Sequence, residues 1–232
     1  MNPAYNLGIK AYQLAVRLAA LRGKKARTML EGQKRTFDLL REKLNPAHRY
    51  IWIHASSLGE FEQGRPLMER IKKENPEAHI VLSFFSPSGY EVRKHYDLAD
   101  VVCYLPFDLP AEVNTFLNLV NPTMAIFVKY EFWGNYLSEL RRRNIPTYLI
   151  SAIFRDSQIF FRPWGGMFRD MLNCFTRIFV QNEESRQLLK IIHVDHVEVA
   201  GDTRFDRVAS VRAAAKDFPV IAAFVENANF TL

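Results

Sequence analysis

Glu60 stands three residues after Ser57 in the stretch Ile51-Trp52-Ile53-His54-Ala55-Ser56-Ser57-Leu58-Gly59-Glu60. An apolar run ends at Ala55 and helical spacing begins near Glu60, which places the carboxylate where a strand turns into a helix. The positive end of a helix dipole favours the ionised form. An ionised carboxylate at a strand end can take a proton from a substrate hydroxyl. Ser-x-x-Glu is equally the pattern of a capping box, in which Glu60 does no more than satisfy a backbone N–H, and by spacing alone this is the commoner reading. Lys129, Glu131 and Trp133 lie two apart. On a persisting strand they would share one side, as a row for a charged sugar or phosphate, or as an ion pair beside a core tryptophan. Arg204 and Asp206, just after Gly201, carry the same two readings. The small-residue loops with Ser56, Ser57 and Gly59, and with Ser86, Ser88 and Gly89, could hold phosphate through backbone N–H groups. Neither is a Walker A or a Gly-x-Gly-x-x-Gly fingerprint. The six histidines show no metal spacing, and two cysteines cannot build a disulfide scaffold or a cysteine-pair zinc site.

These residues need a frame. From Tyr50 onward, apolar runs alternate with helical stretches, and seven strands are expected at 50–55, 79–85, 101–105, 124–129, 147–151, 177–181 and 197–200. They are rich in Val, Ile, Phe and Tyr and do not alternate strictly, as strands buried on both faces should not. Helices are expected between them at 60–74, 88–95, 111–119, 134–143, 167–173 and 183–191, with another at 204–215. That order implies a Rossmann-like α/β fold, a parallel sheet with helices on both faces. In such sheets function gathers at the carboxyl ends of the strands. The loops there carry Glu60, Ser86–Gly89, Lys129–Asn135, Ser151–Ser157 with Arg155, and Gly201–Asp206.

The 232 residues are 48% hydrophobic and 24% charged, a globular balance. Net charge is +6, and eight cations against Glu31 alone between Lys10 and Arg35 account for about +7 of it, leaving a near-neutral remainder. No basic surface for nucleic acid is therefore expected on the domain. Residues 4–21 form a helical pattern with Leu7, Ala11, Leu14, Leu18 and Leu21 on one stripe and Tyr5, Ile9, Tyr12 and Val16 opposite. Charge interrupts it too often for a membrane span or a secretory signal. Apolar helix followed by basic run suits an interfacial anchor on anionic lipid, or else a helix packed on its own domain.

Taken together the loops resemble those of the 3-deoxy-D-manno-octulosonic acid (Kdo) transferases. Trp52 to Glu60 is similar to the family's Trp-x-His-x-x-Ser-x-Gly-Glu motif. Ser86-Pro87-Ser88-Gly89, Leu105-Pro106-Phe107-Asp108, Glu131-Phe132-Trp133-Gly134-Asn135 and Gly201-Asp202-Thr203-Arg204-Phe205-Asp206 follow in the family's order. The resemblance implies the N-terminal, acceptor-side domain of a GT-B glycosyltransferase. On that basis residues 1–35 are expected to form a membrane-associating arm and 36–215 the acceptor-binding domain. Residues 216–232 would open the linker to a donor domain, and the stretch alone is expected to be inactive.

The resemblance further implies transfer of Kdo from CMP-Kdo to the 6′-hydroxyl of a lipid A precursor, in lipopolysaccharide synthesis at the cytoplasmic face of a Gram-negative inner membrane. No metal or other cofactor is expected, and the oligomeric state is left open. Glu60 would be the general base, with Glu131 and Arg204 stabilising charge. The acceptor side would fall on Ser56, Ser57, Gly59, Ser86, Ser88, Gly89, Lys129, Trp133, Asn135 and Arg155. Lys129 stands where many members carry a second glutamate, Gly134 where proline is common, and Arg204 where lysine is usual. The competing reading is a non-catalytic lipid- or phosphate-binding module with Glu60 only a cap. A receiver-like signalling domain is disfavoured because no acidic pair closes the first strand.

Overall fold

The computed structural model describes residues 3–205 and Arg212. Two helices open it, α1 (Pro3–Ala20) and α2 (Lys24–Lys43). Seven strands follow: β1 (Tyr50–His54), β2 (His79–Phe84), β3 (Val101–Tyr104), β4 (Pro122–Val128), β5 (Thr147–Ala152), β6 (Arg177–Val180) and β7 (Val197–Val199). Between them run α3 (Leu58–Glu74), α4 (Pro87–Arg93), α5 (Pro110–Val120), α6 (Gly134–Arg142), α7 (Gly166–Leu172) and α8 (Glu183–Ile191), with a short 3-10 turn at Ile159–Phe161. Every strand expected from the sequence is present, with ends moved by one or two residues. The expected helix at 204–215 lies, beyond Phe205, outside the described residues.

All seven strands pair in parallel, in the order β3-β2-β1-β4-β5-β6-β7. The chain winds outward from β1 to β3, returns to lay β4 on the other side of β1, and winds outward again. Connections diverge between β1 and β4, and this switch point is where an open α/β sheet leaves a crevice. Glu60 follows β1 and Glu131 follows β4.

Strands β1 to β5 are buried on both faces, while β7 at the edge is largely exposed, and two cores form. Ile53, Phe61, Met68, Ile80, Leu82, Phe84, Ile126 and Val128 make one, beneath α3 and α4. Trp52, Tyr104, Phe116, Phe127, Tyr136 and Leu189 belong to the other, with Met29 and Leu40 of α2. Trp52 and Ile53 show the alternation: neighbours in β1, they enter opposite cores. Each such side chain contributes about 1.5–3 kcal/mol when fully buried. Helix α3 comes close to the sheet because Gly64 has no side chain; a Cβ there would stand 3.0 Å from Val128 Cγ2. That approach draws the start of α3, with Glu60, toward the loop after β4.

The basic run proves to be helical. Helix α2 continues across residue 35 and buries Met29, Gln33, Thr36 and Leu40. Gln33 Nε2 donates to the carbonyl of Leu105 at 2.8 Å, and Thr36 Oγ1 to that of Tyr104 at 2.9 Å. Two polar side chains thus cap the end of the edge strand β3. Helix α1 is two-sided. Tyr5, Ile9, Gln13 and Val16 turn inward, while Leu7, Leu14, Leu18 and Leu21 remain 57–73% exposed. Among the described residues no helix is long and apolar enough to cross a membrane.

Gly89 is buried in α4, where an added Cβ would overlap the Phe84 ring. Gly89→Ala is therefore expected to destabilise the domain by about 1–3 kcal/mol, lowering the melting temperature by several degrees. Urea and thermal denaturation check this; an unchanged midpoint would show that the ring moves aside freely.

Candidate active site

Glu60 sits at the third position of α3, and its Oε2 accepts the backbone N–H of Ser57 at 3.1 Å. The capping box of the sequence is real. It does not compete with the catalytic reading, because one carboxylate can hold the helix start and still face the crevice. The expectation that the helix end would favour ionisation is reversed. Burial and the neighbouring Glu131 charge push the Glu60 carboxyl up to about 7, against the opposing pull of the Ser56 and Ser57 backbone and of Lys129. A carboxylate that half-titrates near neutrality is well matched to general-base work.

Glu131 is buried, with Trp133 Nε1 donating to its Oε2 at 2.6 Å and His54 Nε2 3.0 Å from the same oxygen. The row expected from Lys129, Glu131 and Trp133 does not form. The strand ends at Val128, and Lys129 adopts a left-handed backbone with φ of 71°, which breaks the alternation of sides. Lys129 keeps its N–H on the Ile150 carbonyl at 2.8 Å. Its charge acts on Glu60 and on Asp202, so it stands between the carboxylates of two loops.

The loop after β4 is fixed from behind. Trp133 cannot cap α6, and Asp108 does so from another loop: its two oxygens accept the N–H groups of Asn135 at 3.0 Å and Tyr136 at 2.9 Å. Tyr5 of α1 donates its hydroxyl to Asp108 at 2.5 Å and accepts the N–H of Gly134 at 2.9 Å. A proline at position 134 would bring no N–H, so glycine here makes the Tyr5 contact possible. Burial pushes the Asp108 carboxyl up, and the Tyr5 hydroxyl and the two α6 amides oppose that. Asn135 is spent on the same joint, with Nδ2 donating to the Asp108 carbonyl at 2.6 Å and to Asn6 at 2.8 Å.

An aromatic wall borders the carboxylates. Phe85 and Trp133 are 4.7 Å apart between ring centroids, and Tyr12 of α1 stacks on Phe85 at 6.2 Å. The Tyr12 hydroxyl is pushed up by burial and then by Glu131, which places α1 at the site. Tyr12, Phe85 and His54 are residues the sequence reading missed. Phe85 could have been signalled by its place at a strand's carboxyl end, and His54 by its place in the Trp52–Glu60 motif at the end of the first strand.

The remaining candidates divide. The Ser56 carbonyl accepts the Ser86 N–H at 2.8 Å, tying the first two loops together. Ser86 caps α4 through the Ser88 N–H at 3.3 Å. Gly59 faces open space and Gly89 is interior packing. Arg155 is exposed, and its backbone N–H donates to Gln158 Oε1 at 3.0 Å. The loop after β7 is brought in by Thr203, whose hydroxyl meets that of Ser151 at 2.9 Å. Arg204, however, wraps Asp202, with Nε 3.0 and 2.8 Å from its two oxygens. Asp206 lies outside the described residues. Among the described residues no three His, Cys, Asp or Glu are grouped to hold a metal ion.

Solved structures share this fold. The UDP-GlcNAc 2-epimerase of Neisseria meningitidis matches with a TM-score of 0.56 at 14% identity, over 80% of this chain and 55% of that one. A UDP-N-acetylglucosamine 2-epimerase described as putative, from Listeria monocytogenes, gives 0.54 at 15%, over 74% and 49%. The fold is thus a Rossmann-like parallel sheet of the GT-B type, shared with part of each of these epimerases. Residues 27–207 match the model of the 3-deoxy-D-manno-octulosonic-acid transferase (kdotransferase) family, and the chain belongs to that family of glycosyltransferases. Relatives named 3-deoxy-D-manno-octulosonic acid transferase include those of Haemophilus influenzae, 34% identical over 46% of this chain and 25% of that protein. The Aquifex aeolicus protein is 32% identical over 51% and 32%, and the Bordetella pertussis protein 27% over 74% and 43%. The chain therefore spans less than half the length of these relatives.

The causes acting on Glu60 predict its titration. In this chain the Glu60 carboxyl is expected to titrate near pH 7. Glu131→Gln removes the neighbouring charge and is expected to move the midpoint down toward the ordinary glutamate range. Carboxyl-resonance NMR checks both. A midpoint that stays near 7 in the variant would leave burial as the whole cause.

Proposed function

We propose that the protein carrying this domain transfers Kdo from CMP-Kdo to the 6′-hydroxyl of a lipid A precursor, with Glu60 as general base. The observation that carries the reading is the placement of Glu60. It lies at the β1/β4 switch point, half-buried, beside a second carboxylate and with its proton affinity raised to about 7. Family membership supplies the substrates. The aromatic wall suits the face of a sugar ring, and Lys129, whose charge acts on Glu60, is the cation assigned to an acceptor phosphate. The acceptor hydroxyl gives its proton to Glu60 as its oxygen attacks the Kdo anomeric carbon; the bond to CMP breaks and CMP leaves with its electron pair. Glu131, beside the base, and Arg204, once released from Asp202, are assigned to charge stabilisation.

The base must be ionised, so turnover should rise with pH through about 7 and flatten above it. Glu60→Gln in the enzyme carrying this domain is expected to lower kcat about 10²–10⁴-fold with little change in melting, because glutamine can still cap α3 but cannot accept the proton. CMP release from CMP-Kdo and lipid A precursor measures it. Near-normal turnover would mean that Glu60 is only a cap and would leave Glu131 as the next carboxylate to test as the base; absence of CMP release by the unaltered enzyme would instead favour a non-catalytic lipid- or phosphate-binding module.

The exposed leucine row of α1, backed by the cations of α1 and α2, supports peripheral association with the cytoplasmic face of the inner membrane. Replacing Leu7, Leu14, Leu18 and Leu21 with serine is expected to abolish flotation with anionic liposomes while leaving the melting temperature in place. Wild-type binding should weaken as salt rises. Equal flotation of the two forms would remove α1 as the anchor.

A further inference from the structure

Behind the two carboxylates lies a buried hydrogen-bonded string that the proposed chemistry does not use. His54 ends β1 with no exposed surface. Its Nδ1 is 2.9 Å from Ser83 Oγ and its Nε2 3.0 Å from Glu131 Oε2. Trp52 Nε1, on the same strand, reaches Ser83 Oγ at 2.8 Å. The string thus runs from β1 to β2, back to β1 and across to the loop after β4.

Its protons follow from what each group can do. An indole N–H only donates, so Ser83 Oγ accepts from Trp52 and has its own proton left to give. The Ser83 carbonyl takes the Ala55 N–H at 3.1 Å and also stands 3.1 Å from His54 Nδ1; the hydroxyl is the nearer partner at 2.9 Å, and Nδ1 is the acceptor beside it for the proton it has left to give. Trp133 Nε1 lies 3.1 Å from His54 Nε2 but only 2.6 Å from Glu131 Oε2, so the indole proton goes to the carboxylate; the single imidazole proton then sits on Nε2 and is donated to Glu131 as well. Every donor has an acceptor, and the carboxylate receives two neutral donors.

We infer that His54 is a positioning residue of this site: as a neutral Nε2–H tautomer backed by Ser83 and Trp52, it fixes the Glu131 carboxylate as a stationary negative neighbour of Glu60. Neutrality is the point. A lysine or arginine in its place would also hold the carboxylate but would cancel its charge, and that charge is one of the two causes that raise the proton affinity of Glu60. The groups facing the pair are Lys129 after β4, Tyr12 of α1 and the backbone of Ser56 and Ser57, with Asp202 drawing on Lys129 from the loop after β7. None of them donates to Glu131 from inside the sheet.

The inference rests on the proposed function only in its kinetic arm. His54→Phe, which keeps a ring and removes both nitrogens, is expected to lower the Glu60 titration midpoint measured by NMR in this chain. In a Glu131→Gln background the same substitution should produce no further movement, because His54 acts through Glu131. A folded His54→Phe protein with an unmoved midpoint would overturn the inference, as would an equal shift in both backgrounds. The wild-type 15N spectrum gives a second reading that needs no variant: at neutral pH the His54 ring should show the Nε2-protonated pattern. A ring protonated on Nδ1, or on both nitrogens, would overturn the assignment. In the enzyme, the acid limb of kcat against pH should move with the NMR midpoint while KM for the donor holds. A moved midpoint with an unmoved limb would support the positioning role and overturn Glu60 as the base.

Discussion

The buried carboxylate of Asp108 organises this domain's functional edge. Trp133 has no side-chain oxygen to cap α6, so the helix would begin with open N–H groups in a dry place. Asp108 takes two of them and the Tyr5 hydroxyl takes a third. A hydrogen bond to a charged acceptor contributes about 1.5–3 kcal/mol, and an unpaired buried donor costs a comparable amount. The arrangement is therefore strongly determined. It fixes the loop carrying Glu131 and Trp133 relative to β3, whose following loop bears Asp108, and it clips α1 onto both. The position of Glu131 beside Glu60 is inherited from that joint and from the close seating of α3 on β4 at Gly64.

The Glu131 carboxylate raises the cost of ionising Glu60, and a fold holds two such groups together only when the surroundings prevent their separation. Here the restraint comes from outside the cleft. The Ser57 N–H holds one carboxylate from the helix side and the Trp133 indole holds the other from the loop. The aromatic wall of Tyr12, Phe85 and Trp133 lines one flank. Lys129, in its left-handed turn, supplies a counter-charge near Glu60 without bonding to it in the way Arg204 bonds to Asp202. The site is thus pre-set in charge as well as in shape.

The frame was legible because parallel strands announce themselves: 79–85 and 124–129 could hardly be read as anything but buried. That the site would lie on loops at the carboxyl ends of the strands was legible too; the strand order that sets the loops after β1 and β4 side by side was not. What stayed hidden was hidden for stated reasons. Helix α2 was obscured because its inward face uses Gln33 and Thr36, which read as surface until the carbonyls of Leu105 and Tyr104 are seen to need them. The Lys129–Glu131–Trp133 row failed at a single backbone angle that residue types do not reveal. The proton affinity of Glu60 depends on Glu131, 71 positions later in the chain, and on burial, neither of which a helix-dipole argument contains.

Helix α1 touches the site with one face and presents leucines with the other, so the two functions are separated by one helix diameter, about 10 Å. On the proposed reading, the surface that receives the leucine row runs alongside the cleft. An acceptor dissolved in that surface then needs no excursion into water to find Glu60. Its search is confined to two dimensions, and encounter is governed by lateral diffusion in the bilayer and by the acceptor's surface density, whereas a water-soluble donor must arrive from three.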